Sequence, residues 1–170
     1  IPTKALLKTA ELAHKIRHAD TFGLTVGTLD IDYAKVVERS RDVSARFERG
    51  VKGLFKKYKV THVTGTARLA GEGKVEVTDG DGGTTTLNAK HIVVATGARA
   101  KTFPGIEPDG ERIVTYREAI VSLEQPQRVT VLGAGAIGIE FAYFWNAMGS
   151  EVTVVEGQEQ ILPVEDHEIS

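Results

Sequence analysis

The chain has 170 residues, with 21 basic and 23 acidic side chains, 41% hydrophobic and 26% charged positions, the balance of a globular fold of one large domain or two small ones. It contains no cysteine, which excludes a disulfide framework, a thiolate metal site and a cysteine nucleophile within these residues. Its longest apolar stretch, Val129 to Trp145, is interrupted by Thr130, a run of Gly and Ala, and Glu140, so no membrane span is expected; Ile1 opens the chain without a signal peptide, and it reads as an internal piece of a longer protein.

Leu6, Ala10, Ala13 and Ile16 recur at helical spacing behind Thr3, predicting an amphipathic helix over 3–19. After a Gly- and Thr-rich break, Tyr33, Val36, Val37, Val43, Phe47, Val51, Leu54, Phe55 and Tyr58 mark a long helix over 32–58 with one buried face. From Val60 the period changes to two: VTHVTGTARLA, KVEVTDGDGGTTTL and HIVVATGA read as a meander of short strands, with DGDGG at 79–83 as a hairpin turn. Residues 101–127, with Pro104, Pro108 and Pro126, form a connector with one short helix at 117–123, and a domain boundary belongs there. Then come a strand from Arg128 to Leu132, a helix ending at Gly149, and a strand EVTVVE, together a parallel strand–helix–strand crossover.

Gly133, Gly135 and Gly138 form G-x-G-x-x-G directly after the strand, with the small Ala142 one turn further along the helix. The first glycine permits the sharp turn, and the second lets a pyrophosphate approach the backbone. The unpaired N–H groups at the helix start, aided by the helix dipole, are expected to face that anion, with Ala134, Ala136, Ile137 and Ile139 as the residues assigned along the loop and first turn. Glu156, 23 residues after Gly133, ends the next strand, where a carboxylate accepts hydrogen bonds from an adenine ribose. No Lys or Arg follows from Glu151 to Ser170 to pair with a 2′-phosphate, which favours NAD over NADP.

Other signals carry less. His14 and His18 stand four apart on the first helix, but no cysteine or third ligand accompanies them, and no metal site is expected; His62, His91 and His167 spell no triad. Residues 35–59 hold nine basic and three acidic side chains, whereas 60–170 hold 8 basic and 16 acidic ones. The apolar stripe on the same helix suits burial, so neither nucleic acid nor membrane is expected as a partner.

Three blocks together resemble the flavin-dependent pyridine-nucleotide disulfide oxidoreductases. IPTKALL at 1–7 resembles the segment after the second cysteine of that family's redox pair, HIVVATGA at 91–98 the strand that closes its flavin domain, and VTVLGAGAIGIEFAYFWNAMGSEVTVVE at 129–156 its NAD domain. With the tail ILPVEDHEIS, the match is best to the dihydrolipoamide dehydrogenase branch. The resemblance implies an α/β, Rossmann-like two-domain flavoprotein, present in part, with a small antiparallel β-meander inserted in the FAD domain. Residues 1–115 would be the C-terminal part of the FAD-binding domain and 116–170 the start of the NAD-binding domain.

The resemblance further implies FAD and NAD as cofactors. Lys4 would lie near the flavin, Ala67 near the adenine of FAD, and Thr96, Gly97 and Ala98 against the FAD from the end of the ATG strand. Glu140 would reach toward the nicotinamide. The implied reaction carries electrons from dihydrolipoamide, on a lipoyl carrier domain of a 2-oxo acid dehydrogenase complex, through a disulfide and FAD to NAD+. The family's two cysteines, its first FAD-binding βαβ unit and its C-terminal domain with a His–Glu base are not in this sequence, so no catalytic residue is assigned here. A homodimer in a bacterial cytoplasm, or a mitochondrial matrix, is the implied setting. Another NAD-linked member of the mercuric reductase or soluble transhydrogenase type, and a free-standing dinucleotide-binding module, remain open as alternatives.

Overall fold

The computed structural model describes residues 2–162, 165, 166 and 168. Two compact units emerge: Ile1–Glu48 with Thr102–Ser170, and Arg49–Lys101.

In the first unit, helix α1 (Pro2–Arg17) leads through a 3-10 turn (Ala19–Phe22) closed by Gly23 in the left-handed region, φ 74°. Helix α2 (Tyr33–Lys57) contributes its first part here. A single turn, α3 (Tyr116–Ala119), is started by Thr115, whose side chain and backbone exchange hydrogen bonds with the first turn and Glu118. Strand β4 (Arg128–Leu132), helix α4 (Ala136–Met148) and strand β5 (Glu151–Val155) then make the expected crossover. The strands pair in parallel, from Arg128 opposite Glu151 to Leu132 opposite Val155.

Alpha-helical spacing explains the core of this unit. Leu6, Ala10 and Ala13 form one face of α1, and the two small alanines let it lie close on Phe141, Phe144, Trp145 and Met148 of α4; Tyr33 and Val37 of α2 complete the cluster. The Trp145 indole N–H donates to the Tyr33 hydroxyl at 3.1 Å, and burial pushes the Tyr33 phenol up from its ordinary value. Tyr33→Phe is expected to cost about 1–3 kcal/mol, because it strands a buried N–H while leaving the ring in place; urea denaturation of the two proteins checks this. The end of α4 is tied down twice: Arg17 donates to the Ala147 carbonyl at 2.6 Å and Gln125 to that of Met148 at 3.0 Å, while Gly149 takes φ 105° to end the helix.

The second unit holds the last part of α2 and the meander β1 (Thr66–Leu69), β2 (Lys74–Thr78) and β3 (Thr84–Asn88), paired antiparallel in sequence order. Asp79 closes the expected hairpin: its carboxylate accepts from the Asp81 and Gly83 N–H groups at 3.0 and 2.8 Å. Gly65 is obligatory before β1, since a Cβ there would lie 2.4 Å from the Thr78 carbonyl oxygen.

Several expectations are corrected here. HIVVATGA forms no strand: no strand ladder runs over 91–98 among the described residues, and Val93 is 88% exposed. A strand exists only where another strand accepts its ladder, and period-two patterning cannot supply one. For the same reason β1 begins at Thr66, not Val60. Helix α2 buries Tyr33, Val37 and Ser40, but Phe47, Val51, Leu54 and Tyr58 on its apolar stripe stay exposed. The short connector helix covers Tyr116–Ala119, stopping before the 123 expected. Part of the tail ILPVEDHEIS and His167 lie outside the described residues. No helix among the described residues is long and apolar enough to cross a membrane.

Candidate functional site: a glycine turn between two parallel strands

Strand β4 delivers the chain to Gly133, whose φ of 102° only glycine adopts without strain, and whose N–H donates to the Val155 carbonyl at 2.8 Å. Ala134 is fully buried. Its N–H donates to the Glu156 carboxylate at 2.7 Å and its carbonyl accepts from the Leu162 N–H at 3.0 Å, so the turn is gripped on both sides by the segment that follows β5. Gly135 caps α4 in an extended conformation and offers no side-chain acceptor to the first helical turn; Ala136 and Ile137 line its start, Ile137 exposed. A Cβ on Gly135 would meet nothing within 4 Å. The helix thus begins with bare N–H groups and an open approach, the arrangement that receives a phosphate.

Gly138 has a different task. A Cβ there would sit 2.0 Å from the Gly133 carbonyl oxygen and 3.3 Å from Val131, so its hydrogen is what lets α4 close onto β4. Ile139 N–H returns to the Gly135 carbonyl at 3.0 Å and starts the regular ladder.

Glu156 accepts from Ala134 N–H, and through its other oxygen from Gly157 and Gln158 N–H at 2.7 and 3.0 Å. These backbone donors, Ala134 first, hold its carboxyl below the ordinary carboxylate value. Each oxygen keeps acceptor capacity for further donors. At the far side of α4's first turn, Glu140 forms an ion pair with Lys4 of α1. The structure therefore brings together two residues expected from the sequence to face different cofactors. Ala67 lies in β1 opposite Val77, and Thr96, Gly97 and Ala98 lie in the irregular segment after the meander, with Gly97 at φ 79°; all four belong to the second unit.

Sequence reasoning missed three contacts that shape this site: the Lys4–Glu140 pair, the grip of Leu162 on Ala134, and the Arg17 clasp at the end of α4. Only the first had a signal, opposite charges in the opening turns of two helices, and nothing local said that those helices meet. No cluster of three or more His, Cys, Asp or Glu suited to a metal occurs among the described residues.

A family model described as pyridine nucleotide-disulphide oxidoreductase matches residues 1–170. The chain belongs to that family. Among curated proteins it is 45% identical over 170 residues to a dihydrolipoyl dehydrogenase of Chlorobaculum tepidum, a match that covers 100% of this chain and 36% of the relative. It is 39% identical to a mitochondrial dihydrolipoyl dehydrogenase of Arabidopsis thaliana, covering 99% and 34%. The crystal structure of LpdA from Mycobacterium tuberculosis superimposes with a TM-score of 0.85 at 28% identity, over 99% of this chain and 37% of that one. The chain thus spans about a third of the length of these pyridine nucleotide-disulphide oxidoreductases. The expected α/β, Rossmann-like fold class with its antiparallel meander agrees with that neighbour and with the elements described above.

Proposed function

We propose that this chain is the cofactor-handling third of a dihydrolipoyl dehydrogenase-type flavoenzyme, which passes electrons from dihydrolipoamide through a redox disulfide and FAD to NAD+. The observation that carries the reading is the joined geometry of the glycine turn, Glu156 and the Lys4–Glu140 pair. Its support from similarity is the identity of 44–45% to bacterial dihydrolipoyl dehydrogenases over the whole chain.

The residues of the glycine turn fit the nicotinamide dinucleotide. For NAD, the open face at Gly135 and the uncapped start of α4 accept a pyrophosphate, and Glu156 accepts from the ribose hydroxyls, with Gly133, Ala134, Ala136, Ile137, Gly138 and Ile139 shaping the turn. For FAD, the resemblance assigns Lys4 in the first unit and, in the second, Ala67 and the Thr96–Gly97–Ala98 segment, whose Gly97 has open space around its Cα. When bound, the flavin and nicotinamide supply the two-electron transfer itself.

This chain's own contribution is placement and charge. Lys4 pairs with Glu140, and its positive charge would stabilise negative charge gathering near its Nζ, with Glu140 assigned to the nicotinamide by the resemblance. Residues 1–115 are assigned to the flavin side and 116–170 to the NAD side; α1 of the former packs on α4 of the latter, which couples the two. A lipoyl carrier of a 2-oxo acid dehydrogenase complex as donor, a homodimeric enzyme and a bacterial cytoplasm complete the proposal, by likeness to these relatives.

The test is an assay of the full-length protein for NAD+ reduction by dihydrolipoamide. Turnover is expected, and Lys4→Met is expected to lower kcat on the order of 10²-fold, the scale of losing one preorganised charge partner, with the KM for dihydrolipoamide little changed. Absence of turnover with dihydrolipoamide, in protein that carries bound flavin, overturns the substrate assignment.

A further inference from the structure

The last turn of α1 and the residue that follows it present two exposed imidazoles, His14 and His18. The His18 N–H donates to the His14 carbonyl at 3.2 Å, and although His18 itself leaves helical dihedrals, with φ −111° and ψ 23°, its ring stays beside that of His14. Their ring centroids are 4.2 Å apart, with the rings tilted by 33°. The Nδ1 of His18 lies 2.8 Å from the same His14 carbonyl oxygen. A carbonyl oxygen only accepts, so Nδ1 carries the proton, and the neutral ring keeps its lone pair on Nε2.

That backbone bond is what the spacing alone lacked. A metal-binding histidine generally gives one N–H to a carbonyl or carboxylate, which sets the tautomer and the ring's orientation, and ligates through the other nitrogen. We propose that His14 and His18 form a two-imidazole site for a borderline divalent transition cation, of the class of Ni2+, Cu2+ or Zn2+, with water in the remaining positions. The donor set decides the class. Imidazole nitrogens suit these ions, whereas Mg2+ and Ca2+ demand oxygen ligands. Glu11, on the same side of the helix, is engaged by Lys8 and Lys15 and leaves the site to the two rings. A bound ion would clasp the final turn of α1 beside Arg17, which anchors α4.

This site is independent of the flavoenzyme reading, and so is its test. The full-length protein, with its thiols oxidised, is titrated calorimetrically with Ni2+ alone, alongside His14→Gln and His18→Gln. The expected result is one equivalent lost, or its affinity weakened at least about tenfold, in each variant, since even an outer-layer partner of a metal ligand matters on that scale. Ni2+ should also raise the melting temperature of the parent and not of either variant. Excess Mg2+ should leave the Ni2+ titration unchanged. Because both side chains are exposed, each variant should fold, and either alone suffices. Titration of either folded variant indistinguishable from the parent, or a parent that binds no Ni2+, overturns the proposal.

Discussion

Gly138→Ala is expected to destabilise the first unit by at least about 4 kcal/mol, a large fraction of the roughly 5–15 kcal/mol that holds a typical domain together. The added methyl would stand 2.0 Å from the Gly133 carbonyl oxygen, a backbone atom that cannot rotate away. Relief requires α4 to lift off β4, which also loosens Phe144 and Trp145 from the core they share with α1 and α2. The two other glycines of the motif should fail differently. Alanine at 133 has space but must hold φ 102°, a strain of about 1–3 kcal/mol. At 135 it finds open space and ordinary dihedrals, so stability should stay within about 1 kcal/mol of the parent, while the methyl would occupy the surface proposed to receive a pyrophosphate. Urea denaturation paired with NADH-binding fluorescence of the full-length variants separates the three. Equal stability of Gly138→Ala and the parent would show that the helix and strand do not meet as described. Unimpaired NADH binding by Gly135→Ala would remove this turn from the cofactor site.

What could be read in advance was local. The turn at 133–138, the hairpin at 79–83 and the helix stop at Gly149 each depend on neighbours within a few residues, and each residue type answers a backbone demand that its neighbours create. The segment at 91–94 is different: His91, Ile92, Val93 and Val94 have strand-like composition, yet a strand is a relation between two segments, and the described residues hold no partner for it. The exposed stripe of α2 from Phe47 to Tyr58 tells the same story for a helix, since amphipathicity states which face is apolar and not what covers it. Lys4 and Glu140, 136 positions apart, meet only because the small Ala10 and Ala13 on the buried face of α1 allow two helices to approach. No periodicity records such a meeting.

Glu156→Arg in the full-length enzyme is expected to shift the ratio of kcat/KM values toward NADP by on the order of 10²-fold, with overall activity reduced. Two effects act together. The change removes the proposed anionic acceptor for the ribose hydroxyls, each charged hydrogen bond being worth about 1.5–3 kcal/mol, and it adds a cation for a 2′-phosphate in a stretch that otherwise has none. The loss of overall activity comes from the turn itself: the Ala134 N–H, which Glu156 now receives at 2.7 Å in a fully buried residue, would be left without its acceptor. Glu156→Gln separates these roles. Its amide oxygen still accepts from the buried Ala134, while the exposed Gly157 and Gln158 N–H groups lose their acceptor to an amide NH2 and turn to water, so the turn should hold; the ribose loses its charged acceptor and no phosphate partner appears, so NAD should bind more weakly with no gain for NADP. Steady-state kinetics with both nucleotides decide between the two readings of this side chain. If Glu156→Arg weakens both cofactors equally, Glu156 serves only to brace the glycine turn, and the discrimination against a 2′-phosphate must come from elsewhere in the enzyme.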